Sequence, residues 1–180
     1  MLTTYVALLR GINVGGKNML PMKDLCAMFG AAGCSEVRSY IQSGNVIFKA
    51  DPGGAAQLPE LITAQIAERF GHRPPVILRT VEQLREVVNN NPFLQAGAGE
   101  ETLHVMFLAN RPDPARVETL DPNRSPPDAF AVRGQEIYLQ LPRGVADTKL
   151  SNAYFDSKLA TISTGRNWRT VLKLLELMAG

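Results

Sequence analysis

The chain has 180 residues, of which 45% are hydrophobic and 20% charged, and its net charge is +2. That length and apolar content bury a sizeable core in one domain or two packed halves, without the bias of a disordered chain. The charge is spread thinly, with nine Lys/Arg against seven Asp/Glu in residues 1–90 and ten of each in residues 91–180; it lacks the concentrated basic face of a dedicated nucleic-acid binder.

Thr3–Arg10 is a short apolar run with the β-formers Tyr5, Val6, Leu8 and Leu9, followed by the glycines of Gly11–Gly16, and predicts a strand and then a loop. There is no basic leader before it and no window long enough to cross a bilayer, so a cytoplasmic protein with no membrane partner is expected. Pro21 opens a helix on which Met22, Leu25, Cys26 and Phe29 recur at helical spacing, and Gly33 stops it. Cys26 and Cys34 both fall around that one helix and read as buried thiols, not as a disulfide framework. With only His72 and His104 besides, no zinc constellation or other cofactor signature is present.

Glu36–Ile41 and Asn45–Ala50 predict two strands paired antiparallel around Gln42-Ser43-Gly44, where glycine supplies the positive φ of a tight turn. Leu58, Leu61, Ile62, Ile66 and Phe70 mark a second helix, and Pro75–Thr80 a further strand. Residues 1–80 therefore run βαββαβ, the ferredoxin-like order in which two helices cover one face of an antiparallel sheet. A third helix, Val81–Asn91, begins a connecting segment, residues 81–101. Residues 102–180 predict a strand at Thr102–Ala109, a helix near Pro114–Leu120 and a hairpin of Ala129–Arg133 with Glu136–Leu141. Two helices, Lys149–Ala160 and Asn167–Met178, close the chain. The expected fold class is α+β: two α+β subdomains with antiparallel sheets covered by helices, the first ferredoxin-like. The second half repeats much of the order without a residue-level repeat.

Three strings carry polar chemistry. Gly11-Ile12-Asn13-Val14-Gly15-Gly16-Lys17-Asn18 matches the phosphate-loop pattern at every defined position but the last, where Asn18 replaces the hydroxyl that holds magnesium. Its helix also starts late, and no strand ending in Asp follows to supply the second magnesium ligand, so an anion-binding nest or a solvated glycine turn fits better than a nucleotide triphosphatase site. Arg10 ends an otherwise apolar strand, where a ligand or a structural ion pair would satisfy it. Tyr40-Ile41-Gln42-Ser43-Gly44-Asn45-Val46 gathers hydrogen-bonding groups on a hairpin, which bland turn chemistry explains nearly as well. In Thr164-Gly165-Arg166-Asn167-Trp168-Arg169-Thr170, Asn167 caps the last helix and Trp168 packs, while Arg166 and Arg169 sit where a helix dipole disfavours cations. No Ser–His–Asp or Cys–His pair can be argued, so catalytic residues stay unknown and enzyme activity stays open.

Together, Tyr5–Asn18, Tyr40–Val46 and Arg166–Thr170 resemble the domain-of-unknown-function 1697 family. The resemblance implies two α+β subdomains with a ferredoxin-like element and an uncharacterised bacterial protein, with no established activity to carry over. The functional expectation is a small anionic or nucleotide-like ligand bound by Arg10, Asn13, Lys17, Ser43, Asn45, Arg166 and Asn167 at a polar site between the subdomains. The alternatives are an RNA-binding or protein-interaction module on the sheet face, with Tyr5 and Phe48 as stacking aromatics, and a phosphate-handling transferase. The oligomeric state is not legible.

Overall fold

Tyr5, Val6, Ala7, Leu8 and Leu9 are all buried, so Thr3–Leu9 (β1) is covered on both faces of its pleat and lies in the interior of its sheet. In this computed structural model, which describes residues 1–180, β1 is followed by α1 (Met22–Ala31), β2 (Ser35–Tyr40), β3 (Asn45–Ala50), α2 (Pro52–Ala55), α3 (Leu58–Phe70), β4 (Val76–Thr80) and α4 (Val81–Asn89). The four strands form one antiparallel sheet in the order β2-β3-β1-β4. That is the ferredoxin-like order expected for residues 1–80.

Alternation along the strands decides which side chains meet the helices. Tyr5, Ala7 and Leu9 of β1, with Val46 and Phe48 of β3, join Leu25 and Phe29 of α1 and Ile62 and Ile66 of α3 in one core. Phe48 is its centre, with ring centroids 5.6 Å from Tyr5 and 5.0 Å from Phe29. Both cysteines are free thiols beside this core, and burial pushes each above the usual thiol range, opposed at Cys26 by a hydrogen bond with Ser39.

The remaining elements are α5 (Pro92–Gln95), β5 (Leu103–Leu108), α6 (Pro114–Val117), β6 (Ala129–Arg133), β7 (Glu136–Gln140), α7 (Asn152–Leu159), β8 (Ser163–Asn167) and α8 (Trp168–Ala179). Their sheet has the order β6-β7-β5-β8, antiparallel throughout, which is the strand order of the first sheet over again. Met106, Leu108, Ile137 and Leu139 pack there with Tyr154, Phe155 and Leu159 of α7. Strand β8 was not expected from the sequence, which ran helix to helix at this point. Ser163-Thr164-Gly165-Arg166-Asn167 has low β-propensity, and as an edge strand it needs only the ladder to β5 to hold it.

The chain divides into two compact units, Met1–Leu84 with Leu174–Gly180, and Arg85–Lys173. In the first, the Arg38 guanidinium donates to the Leu177 carbonyl, tying β2 to the C-terminal segment. In the second, the Tyr138 hydroxyl donates to the Val87 carbonyl at 3.0 Å. No helix is long and apolar enough to cross a membrane.

Candidate functional site

Beyond Leu9 the chain leaves the sheet but remains anchored to it. The Leu9 N–H donates to the Gly44 carbonyl at 2.9 Å and the Arg10 N–H to the Pro75 carbonyl at 3.2 Å. Residues 13–18 then fold back as a miniature hairpin: the Asn13 N–H donates to the Asn18 carbonyl at 3.1 Å, and Val14 and Lys17 exchange bonds of 3.3 and 2.9 Å. Its two central residues, Gly15 and Gly16, have φ of 56° and 75°, the left-handed pair that a two-residue hairpin turn demands.

Asn13 fastens this hairpin to its surroundings. Its Oδ1 accepts the Leu20 N–H at 2.7 Å, and its Nδ2 donates to the Leu20 carbonyl at 2.9 Å and to the Gln42 carbonyl at 2.9 Å. The last of these spans loop and turn, so the first two polar strings of the sequence meet at one end of the first sheet. Asn18 adds a bond from its Nδ2 to the Gly11 carbonyl at 3.0 Å. Asn45 does the corresponding work in the turn: fully buried, it donates from Nδ2 to the Tyr40 carbonyl and to Ser43 Oγ, each at 3.1 Å. Gly44, at φ 87°, is pressed so close to the loop that a Cβ there would lie 3.0 Å from both Ile12 Cδ1 and Leu9 Cβ.

The resulting surface carries one exposed cation, Lys17, the exposed Ser43 hydroxyl and the half-buried Arg10 at its base. Around them Val14, Met19 and Ile41 are 62%, 60% and 50% exposed. Asn13, Asn18 and Ile41 adopt φ of 53°, 52° and 51°. Asn tolerates that region, but a β-branched residue there is strained.

The third string lies in the other unit, on edge strand β8. Asn167 caps α8, its Oδ1 accepting the Thr170 N–H at 2.8 Å, and Trp168 is buried directly after it. The Arg166 guanidinium lies along its own strand, donating from Nη1 to Thr164 Oγ1 at 2.9 Å and to the Gly165 carbonyl at 2.8 Å. Burial lowers its pKa to about 10, which leaves it charged at neutral pH. Arg169 is exposed on the first turn of α8.

Two chemistries suggested by the sequence lose their geometric basis. Helix α1 starts at Met22, and Lys17 sits at the edge of a tight turn, so no helix N-terminus is aimed at the lysine as a phosphate loop requires. Tyr5 and Phe48 both point into the helix-covered core, so neither offers a ring for base stacking. No group of three or more His, Cys, Asp and Glu is placed to hold a metal ion. Sequence reasoning also missed a cleft in the second unit, where the β6–β7 turn faces α4 and α5.

No curated protein is significantly similar to the chain. Among solved structures, the conserved bacterial protein SP0830 from Streptococcus pneumoniae is similar in fold, with a TM-score of 0.78 at 24% identity over 100% of both chains. Residues 2–138 match the family model described as a protein of unknown function, DUF1697. That match includes the whole of the β1 loop and the β2–β3 turn, and the chain belongs to the DUF1697 family.

Proposed function

We propose that the surface formed by residues 10–20 and the β2–β3 turn binds a small anionic ligand, with a phosphate-bearing or nucleotide-like molecule as the ligand class. The observation that carries this reading is the concentration of left-handed residues on an exposed surface. Asn13, Asn18 and Ile41, with Gly11, Gly15, Gly16 and Gly44, all have positive φ within these two segments. Such conformations cost of order 1–3 kcal/mol each for residues poorly suited to them, and they persist where function fixes the backbone. Lys17 supplies the exposed charge, Ser43 and Arg10 flank it, and Asn13 and Asn45 hold the platform. Arg166 and Asn167 lie in the other unit, where the bonds described above serve β8 and α8, and they enter this reading if Arg166→Ala weakens binding.

The test is thermal denaturation with a panel of phosphate-bearing ligands. A ligand at a hundred times its Kd adds about 2.7 kcal/mol to stability. Lys17→Ala should remove that shift while leaving the melting of the unliganded protein in place, because Lys17 is exposed on a hairpin edge. A shift that survives in Lys17→Ala sinks the proposal.

A second reading, a protein-interaction surface, is favoured by the three exposed apolar side chains Val14, Met19 and Ile41 on the same platform. It moves the interaction from the sheet face to the loop end. Val14→Ser with Met19→Ser should abolish association with a protein partner and leave phosphate binding intact.

A further inference from the structure

The cleft of the second unit has a volume of about 470 Å³, within the range of small-molecule sites. One wall is the end of α4 and the start of α5, the other is the turn between β6 and β7, and Tyr138 forms part of the lining. Asn90, Gln95, Glu86 and Glu136, all lining residues, carry acceptor oxygens. Asn90 donates from Nδ2 to the Glu86 carbonyl at 2.7 Å, and Gln95 donates from Nε2 to the Asn89 carbonyl at 3.2 Å. A backbone carbonyl accepts only from a donor, so each amide turns its nitrogen to the chain, and its oxygen remains able to accept from a ligand. The Tyr138 proton is likewise committed to the Val87 carbonyl. Burial and the neighbouring Glu136 push that phenol up to about 12, so it stays protonated throughout the neutral range.

The charged side chains of the lining are mostly acidic. Glu86 and Glu136 both line the cleft, and the single cation is Arg133. Arg133 stands directly across the hairpin ladder from Glu136 and donates from Nη1 to its neighbour's carbonyl, Val132, at 3.1 Å. Arg133 therefore offsets Glu136, which leaves Glu86 with the amide oxygens of Asn90 and Gln95 on the opposite wall. Three acceptors, one of them charged, match the three donors of a primary ammonium group.

We infer that this cleft binds a small organic cation, a primary amine whose ammonium group is held by Glu86, Asn90 and Gln95. This site is separate from the anion surface proposed above, takes a ligand of the opposite sign and stands or falls independently of it.

Isothermal titration calorimetry of the full chain with cadaverine, and with n-butyric acid as the isolated anionic counterpart, tests the inference. Cadaverine should bind saturably and butyrate should not. Glu86→Gln should weaken cadaverine at least tenfold, Gln95→Leu severalfold, and Glu118→Gln, an exposed carboxylate that does not line the cleft, not at all. Lys17→Ala should leave cadaverine binding unchanged. No saturable heat with cadaverine at millimolar concentration, or equal loss on Glu86→Gln and Glu118→Gln, overturns the site.

Discussion

The two units are built on one plan and differ in what interrupts it. In each, the strand that ends beside the hairpin turn is anchored by the same pair of bonds. Leu9 donates to Gly44 and Arg10 to Pro75 in the first, and Leu108 donates to Gln135 and Ala109 to Ile162 in the second. In each, the last strand runs straight into a capped helix: Thr80 and Gln83 exchange bonds of 3.1 and 2.8 Å at the start of α4, and Asn167 accepts from Thr170 at the start of α8. The interruptions are unequal. Residues 10–21 separate β1 from α1, whereas 109–113 separate β5 from α6, and the β2–β3 turn takes residues 41–44 where the β6–β7 turn takes only 134 and 135. The longer segments of the first unit are where three of the five non-glycine residues with positive φ lie. At these two connections the ferredoxin-like frame needs neither the extra length nor the left-handed residues, as the shorter counterparts in the second unit show, and the proposed anion surface gives both a role.

The largest effects should be equal in the two units, because the frame is shared. Phe48 and Phe155 are both fully buried among other rings, Phe155 at 5.4 Å from Phe130 and 5.3 Å from Tyr154. Phe48→Ala and Phe155→Ala should each cost about 3–5 kcal/mol in urea denaturation. A loss under about 1 kcal/mol from either would mean that one unit's core is not what holds it folded.

The turns should then separate the units. Gly44→Ala forces a Cβ into Ile12 and Leu9 at a φ of 87° and should destabilise by about 2–3 kcal/mol. Gly134→Ala meets nothing within 4 Å and carries only the left-handed backbone cost of about 1–2 kcal/mol. Equal losses would show that the β2–β3 turn is not held against the β1 loop. Asn13→Ala belongs to the same comparison: it removes three hydrogen bonds to backbone groups and should cost about 1–3 kcal/mol, with loss of the proposed anion binding.

How much of this the sequence displays follows from the range of the interactions involved. The first unit is legible element by element, since its strands and helices declare themselves by local apolar period and its turns by glycine. Strand β8 is not, because its residues are polar and only its ladder to β5, some sixty residues away in sequence, makes it a strand. The candidate surface is half legible. The strings Gly11–Asn18 and Tyr40–Val46 stand out, yet Asn13 and Asn45 read as ligand groups when their amides hold the loop and the turn together. That role depends on the 2.9 Å bond to Gln42 and on the complete burial of Asn45, neither of which has a local signature. The cleft was invisible for the same reason, its walls coming from residues 86–95 and 133–138.

A smaller effect tests the strain itself. Ile41→Asn keeps a polar-tolerant turn and replaces a β-branched residue by one at ease with φ near 51°, so it should raise stability by up to about 1 kcal/mol. If the strain serves the platform, affinity for the anionic ligand falls as stability rises. A rise in both would leave the strain without a function.

The smallest expected effect lies at a position where the shared frame carries different chemistry. Tyr5 pairs with Phe48 and Thr80 in the first sheet, and His104 holds the corresponding place in the second, paired with Leu139 and Asn167. Only the histidine titrates near neutrality. Burial lowers its pKa below 6.5 in the folded chain, so protons bind the unfolded chain more readily. Well above pH 6.5 both states are neutral and His104 contributes no pH dependence. As pH falls below 6.5 the unfolded state gains a proton that the folded state refuses, and stability declines until the folded-state pKa is passed. His104→Gln removes that slope and leaves every other titration in place. The difference between the wild-type and His104→Gln stability curves, measured by urea denaturation from pH 7.5 down to pH 5, should therefore be flat at the upper end and turn against the wild type below pH 6.5. A flat difference throughout would mean that His104 is as well solvated in the folded chain as in the unfolded one, and that this position is no different in kind from its tyrosine counterpart.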